Sequence, residues 1–504
     1  MSSESLPCKG KLRLCVYFLN ILYTMLFSLY FLGCSSPSDL PKETPSSQDA
    51  SEHTSPDQKE PIPEPQKEKT LVPEKQPPEP APPCEWDIPK KYTLSEGSRL
   101  FIPTQLQTSG GKVLLQKIPK GWQSIVETEK KRIAIRPAYG SKGDYNIPLT
   151  LACARSSSKH TLQIKVNSLT WKPGVTWSFN TTGPSAREHP KIWISPKYPD
   201  TLWLWGGLLY YPRQFTPDYK LWKMDLKTNT WTSVKQGNDA PKLTTGQVAV
   251  HTDGQSILHY GGSQNNRQTS PALYQLSFDT AQPTWKKLEK ASWDYNSITL
   301  GAFFYDKANK RFISACGFQQ KSSYDIHCKV SAYYPDDKGG QWKKLNPRGA
   351  PPSGRYGFFY TYDEVNQRLI LFSGAQKPVS QQDMVNPAQD TWALNLKGDI
   401  PEWERLRPYG THPRGRRNGC SAYDPIGHRL FVFGGTPDAR TTVPGFSVLH
   451  LDKGYEKWYQ VDTQNLPPVR SSCVGIYDAK RKQILFGFGN SSKANYADWQ
   501  RLQL

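Results

Sequence analysis

Beyond residue 170, short apolar runs and polar turns alternate in a unit that recurs along the chain. One run ends on small residues: WLWGG at 203–207, LHYGG at 258–262, SACG at 314–317, LFSG at 371–374 and FVFGG at 431–435, with a degenerate LFGFG at 485–489. A second run follows each, as LWKMDL (221–226), ALYQLSF (272–278), VSAYYP (330–335), TWALNL (391–396), FSVLHL (446–451) and DWQRLQL (498–504). A third carries Trp231, Trp285, Trp342, Trp403 or Trp458, spaced by 54, 57, 61 and 55 residues. Apolar runs this short, bounded by Gly and turn residues, predict strands, and a fixed long period predicts a repeat architecture.

Upstream, residues 84–168 change to alternating runs at RLFIP (99–103), KVLLQKI (112–118), RIAIRP (132–137), YNIPLTLAC (145–153) and HTLQIKV (160–166). Turn clusters at Ser109-Gly110-Gly111 and Gly140-Ser141-Lys142-Gly143 separate them, which predicts a small β-sandwich. Its closing segment, GDYNIPLTLACA followed by HTLQIKV, resembles the last two strands of immunoglobulin-like modules of bacterial surface proteins. That resemblance implies a rigid spacer with no catalytic role.

The glycine pair, the strand after a variable loop and the Trp at a fixed offset together resemble kelch repeats over residues 169–504. The resemblance implies an all-β chain with a six-bladed kelch-type β-propeller behind the small sandwich. The last unit ends at Leu504 without a Trp strand, whereas VTWSF at 175–179 carries Trp177, 54 residues before Trp231. The N-terminal strand is therefore expected to complete the last blade, which removes two exposed sheet edges. The recurrent Trp are expected to pack between blades.

Composition agrees, with Gly 37, Pro 43, Trp 16 and Tyr 26 against 36% hydrophobic residues. The formal charge is +20; residues 1–34 carry +2 and residues 35–83 carry −5, which leaves +23 on the remainder by subtraction. Such a surface suits polyanions, although an ordinary Lys-rich solvated surface gives the same count. A protein partner or an anionic polymer is the expected ligand, ahead of nucleic acid.

Residues 14–33 form an apolar run behind Lys9, Lys11 and Arg13 and end at Cys34, the layout of an export leader. FLGC at 31–34 is similar to the lipobox of bacterial lipoproteins, which implies lipidation of Cys34 and an outer-membrane cell-envelope location. An uncleaved inner-membrane signal anchor with the remainder exported is the alternative, since about twenty apolar residues span a bilayer. Residues 35–83 hold thirteen Pro among Ser, Glu, Lys and Gln. No core can form there, so the segment reads as a stalk that reaches on the order of 150 Å when extended.

Export permits disulfides. Six cysteines remain after Cys34, and the candidate pairs are Cys316 with Cys328, Cys420 with Cys473, and Cys84 with Cys153, against buried free thiols. Alignment on the Tyr-Asp pairs 305–306, 362–363, 423–424 and 477–478 places Arg355, Arg416 and Arg470 at one shared position, with Arg417 adjacent and Arg187 nearly equivalent. In animal kelch adaptors, arginines where a blade's first strand begins contact acidic peptides. The similarity implies an anion-binding rim, and pairing with rim carboxylates such as Glu188 is the competing reading. Among His251, His259, His412, His428 and His450 no ligand spacing for copper or zinc stands out, and no paired-carboxylate, GxSxG or P-loop motif occurs. No cofactor or metal is expected and binding is favoured over catalysis, with a sugar isomerase or hydrolase and a structural envelope component as alternatives.

Overall fold

The computed structural model describes residues 86–504 apart from 107–110, 154–155, 177–182, 212–213, 238, 252, 265–267, 291–297, 321–323, 337–339, 377–386 and 439–440. The leader, Cys34, the Pro-rich segment and Cys84 lie outside the described residues.

The first unit is built from two sheets around one core. Strands Lys91–Ser95, Ser157–Asn167, Gly143–Ala152 and Lys112–Leu115 form one sheet, and Leu100–Pro103, Arg132–Arg136 and Gln123–Glu127 form the other. Alternation decides the faces: in Ser157–Asn167 it sends Leu162, Ile164 and Val166 inward, into one core with Ile102 and Ile135 of the opposite sheet and Trp122 just ahead of its strand Gln123–Glu127. Strands Lys91–Ser95 and Gln123–Glu127 carry too little apolar alternation to stand out in the sequence.

The remainder is a β-propeller. Among the described residues, six antiparallel meanders follow in chain order, beginning with Lys191–Ser195, Tyr198–Trp205, Leu221–Asp225 and Thr230–Val234 as blade 1. The innermost strands of blades 2 to 6 are Gln247–Val250, Ala302–Asp306, Phe359–Asp363, Cys420–Asp424 and Val474–Asp478. Each innermost strand neighbours the next, and the last neighbours the first, so the circle closes.

Closure uses the strand ahead of the ring. Thr170–Thr176 pairs antiparallel with Asp498–Gln503 as the outermost strand of blade 6, with Trp171 opposite Leu502. The strand begins five residues ahead of VTWSF and includes its Val175 and Thr176; Trp171 packs on Phe433, Phe446 and Phe486, and Trp177 lies outside the described residues. Trp231, Trp285, Trp403 and Trp458 are buried in the blade cores, and Trp342 packs on Tyr260 at 4.4 Å between ring centroids.

Two disulfides join described cysteines. Cys316–Cys328 spans the hairpin of blade 3, and Cys420–Cys473 links the inner strands of blades 5 and 6. Cys153 is also disulfide-bonded.

The base of the propeller repeats a buried ion pair. In blades 3, 4 and 5 the Asp that ends the first strand accepts from the Arg five residues on: Arg311 on Asp306 (3.0 Å), Arg368 on Asp363 (2.9 Å) and Arg429 on Asp424 (2.9 Å). In blade 6 Gln483 donates to Asp478 at 2.9 Å instead.

The small unit docks on this base. Arg136 donates to Asp452 at 2.6 Å and to the Gly427 carbonyl at 2.7 Å, and Arg99 reaches the same carboxylate at 3.1 Å. Arg429 of blade 5 returns a bond to the Glu96 carbonyl, 2.6 Å away. Gly97 sits between the two units with φ +67, and a Cβ there would strike Tyr139 and Arg429, so glycine is required twice over. Trp86 stacks on His160 at the end of the small unit remote from the propeller.

Candidate functional site

The opposite end of the ring, the mouth, is where first strands begin and second strands end. At the entry to each first strand one residue takes left-handed backbone: His189, Thr245, Leu300, Gly357, Asn418 and Ser472. Their N–H groups hand the chain from blade to blade, Leu300 to the Thr245 carbonyl (3.2 Å), Gly357 to Leu300 (2.8 Å), Asn418 to Gly357 (2.7 Å), Ser472 to Asn418 (2.5 Å) and His189 to Ser472 (2.8 Å). The small-residue pairs make a second ring. Gly262, Gly317, Gly374, Gly435 and Gly489 each donate to the next blade's carbonyl at Ile298, Arg355, Arg416, Arg470 and Arg187.

Inside the rings lies a channel of about 500 Å³ lined by the inner strands of five blades and, in blade 3, by Leu300 and Gly301 just ahead of the inner strand. Tyr360, Tyr362, Tyr423 and Tyr477 face it from blades 4, 5 and 6, and Lys191 from blade 1. Burial brings the Lys191 ammonium down to about 8. Burial, with the charges of Lys191 and Arg417, takes His189 down to about 3. Glu188 is raised by burial to about 7 against a hydrogen bond from Ser472, and its Oε1 accepts from Asn490 at 2.5 Å.

The four aligned arginines do share one position, but they point into the blades and do not form an open rim. Arg187, Arg355, Arg416 and Arg470 are each at most 2% exposed. Each Nε donates to the carbonyl two residues back, and each Nη1 to the carbonyl at the end of its own blade's second strand, namely Gly206, Ser373, Gly434 and Phe488. Three also hold a carboxylate: Arg187 with Asp218 (2.9 Å), Arg355 with Asp390 (2.6 Å) and Arg470 with Asp498 (2.5 Å). These three are structural clamps, because a buried guanidinium that already holds its carboxylate and carbonyls has little left to offer a ligand. Glu188 is not their partner.

Blade 5 departs from the pattern. Gly445 precedes the third strand where blades 4 and 6 place Asp390 and Asp498. Arg416 therefore has no carboxylate partner among the described residues, and burial together with the charge of Arg414 lowers it to about 10. Arg417 is also lowered by burial, and its buried Nε has no hydrogen-bond partner among the described residues. Of the five arginines read from the sequence, these two hold no carboxylate among the described residues.

Sequence reasoning overlooked the Asp–Arg pairs at the base, although a carboxylate and a cation five residues apart in three units was legible. It also gave His428 no role beyond the absence of a metal-ligand spacing. The His428 ring lies 2.8 Å from Asp363 and 3.4 Å from Asp452, fully buried beneath the docked unit. Burial raises Asp363, but the hydrogen bond and charge of His428, with Arg368, draw it down to about 2.

The KLHDC2/KLHL20/DRC7 Kelch-repeats domain family matches residues 306–504, and the Attractin/LZTR1 beta-propeller family matches residues 202–398. The chain is 30% identical over 149 residues to Putative adagio-like protein 2 of Oryza sativa subsp. japonica, covering 29% of this chain and 21% of that protein. Adagio protein 3 of Arabidopsis thaliana is 31% identical over 137 residues, covering 26% and 20%. The chain thus spans about a fifth of the length of these relatives. N-(sulfonatooxy)prop-2-enimidothioate sulfolyase of Thlaspi arvense is 24% identical over 254 residues, covering 47% and 67%. The solved structure of YjhT is similar at 15% identity with a TM-score of 0.43, covering 68% of this chain and 99% of that one. The fold is an all-β, kelch-type β-propeller.

Proposed function

We propose that the protein is an exported, envelope-tethered scaffold whose propeller binds a protein partner through the mouth face at blade 5. The observation that carries this reading is Arg416: a buried guanidinium that lacks the carboxylate of its three counterparts, with Arg417 beside it. Guanidinium forks match carboxylates in two-point geometry, so the expected ligand is an acidic segment of a partner protein. The kelch and propeller family matches support a protein-interaction role.

Export is supported by the apolar leader ending at Cys34 and by cysteines engaged in disulfides, which persist in oxidising compartments. Docking supplies orientation: the small unit covers the base beneath blade 5, which leaves the mouth as the free face.

A photo-crosslinking residue at exposed Gln376, in full-length protein expressed in intact cells, tests the reading. Capture of a discrete protein through an acidic peptide, abolished by Arg416→Met with Arg417→Met, is the expected result. Crosslinks unchanged by those substitutions, or directed to a glycan polymer, would reject it.

A further inference from the structure

The two hydrogen-bond rings at the mouth are interrupted at the same seam. Between blades 1 and 2, among the described residues, Thr245 N–H makes no bond to the His189 carbonyl and Gly207 N–H makes none to Leu243, although every other seam has both links. The spacing agrees. A Cβ at Gly261 or Gly434 would collide with the carbonyl of Ile298 or Arg470 in the next blade, whereas at Gly206 the nearest atom is Asp218 O of its own blade, 3.5 Å away. The seam is closed lower down, where Ser195 Oγ donates to the Gly254 carbonyl and Trp193, Trp203 and Trp205 pack against Ile257 and Trp285. The gap is therefore local to the mouth.

Lys191 and His259 flank this gap. Lys191 lines the channel, its neighbours in the wall include no Asp or Glu, and its ammonium makes no ion pair or hydrogen bond among the described residues. His259 is wholly buried, with neither ring nitrogen hydrogen-bonded. Its ring stands edge-on to Trp205, whose backbone pairs with Lys191. Gly246 lies against the ring on the side of the inner strand, since a Cβ there would lie 2.5 Å from His259 Nε2. A partly buried cation without a counter-charge and a buried imidazole without a partner are each costly, and one occupant of the gap would satisfy both.

We infer that the channel mouth at the blade 1–blade 2 seam is a binding site for a small oxyanion, a phosphate, sulfate or carboxylate group, held by Lys191 with His259 as second donor. The site is separate from Arg416 and Arg417 on blade 5 and stands whether or not that face binds a protein. The ammonium supplies the charge, the imidazole N–H supplies direction, and the tyrosines across the channel bound the rest of the ligand.

The test uses the full-length protein with pyridoxal 5′-phosphate, which carries both a phosphate and an amine-reactive aldehyde, followed by borohydride reduction and peptide mapping. Lys191 should be labelled ahead of the exposed lysines, with inorganic phosphate or sulfate suppressing the labelling. In parallel, calorimetric titration with inorganic phosphate should show binding weakened by about tenfold or more in Lys191→Met, the loss expected for one charge-assisted hydrogen bond. Lys191→Arg should retain most of it. Labelling of Lys191 at the rate of an exposed lysine, labelling indifferent to phosphate, or equal phosphate affinity in Lys191→Met would overturn the assignment. The labelling uses unsubstituted protein, so it decides the matter even if Lys191→Met does not fold.

Discussion

Replacing Asp452 by Asn should release the small unit from the propeller base. The carboxylate receives Arg136 at 2.6 Å and Arg99 at 3.1 Å, and both arginines are under 8% exposed. Burial raises Asp452, but the hydrogen bond with His428 and the charges of Arg136 and Arg99 hold it well below its ordinary 3.8. Asparagine keeps the shape and removes the charge, so two guanidinium groups are left in a low-dielectric joint. Breaking a buried pair in this way costs about 3–5 kcal/mol. Because the pair joins two units, that loss should appear as local opening. Hydrogen exchange followed by mass spectrometry should show peptides covering 95–99, 134–139 and 426–429 losing protection while the blade 2 and blade 3 strands keep theirs. Adding Arg136→Met should restore part of the protection, since the second substitution removes one stranded charge. The depressed acid also fixes the pH sign: the joint's stability is fully present above pH 3.8, Asp452's unperturbed value, and is lost as pH falls below it. Unchanged exchange in Asp452→Asn, within about 0.5 kcal/mol, would refute the view that this carboxylate fastens the two units.

Three further outcomes follow from the same geometry. Burial lowers His259 from 6.5 to about 3, with Lys191 adding to the effect, so the folded chain binds fewer protons than the unfolded chain between those values. Its stabilising contribution is complete above pH 6.5 and fades as pH falls toward 3, and His259→Phe should flatten the fall in denaturation midpoint between pH 7 and pH 4. Replacing Cys420 and Cys473 by Ser opens a link across 53 residues and should cost about 2–4 kcal/mol in guanidinium unfolding under oxidising conditions. Gly434→Ala, with φ +63 and its new Cβ against the Arg470 carbonyl, should lower the melting temperature well beyond Gly206→Ala, where φ is +70 but the nearest atom is 3.5 Å away; equal losses would deny the open seam.

Most of the scaffold is legible in the sequence because repetition averages out local ambiguity. The small-residue pair, the strand after the loop and the Trp recur closely enough to give the blades. The closing strand was found from Trp177 at the repeat spacing, but its start at Thr170 and the buried Trp171 carry no repeat signal and were missed. The arginines share one position, but Arg187, Arg355 and Arg470 are clamps and not part of an open rim. Their partners Asp218, Asp390 and Asp498 lie 31, 35 and 28 residues downstream by subtraction, across loops of unequal length, so no fixed spacing announces the pairs. The joint between the units was invisible for a related reason, since Arg136 and Asp452 are 316 residues apart. Lys191 was missed because repeats draw attention to what recurs, and its equivalents in the other blades are uncharged: Gln247, Ala302, Phe359, Cys420 and Val474.

The mouth, the channel and the base all depend on the ring being closed by the strand that precedes it. Lys172 and Arg501 face each other across that closure, so Lys172→Cys with Arg501→Cys puts two thiols at disulfide range. Under mild oxidation the full-length double variant should form an intramolecular 172–501 bond, identified by peptide mapping, without loss of melting temperature. Free thiols, or bonds only between separate molecules, would contradict the closed propeller.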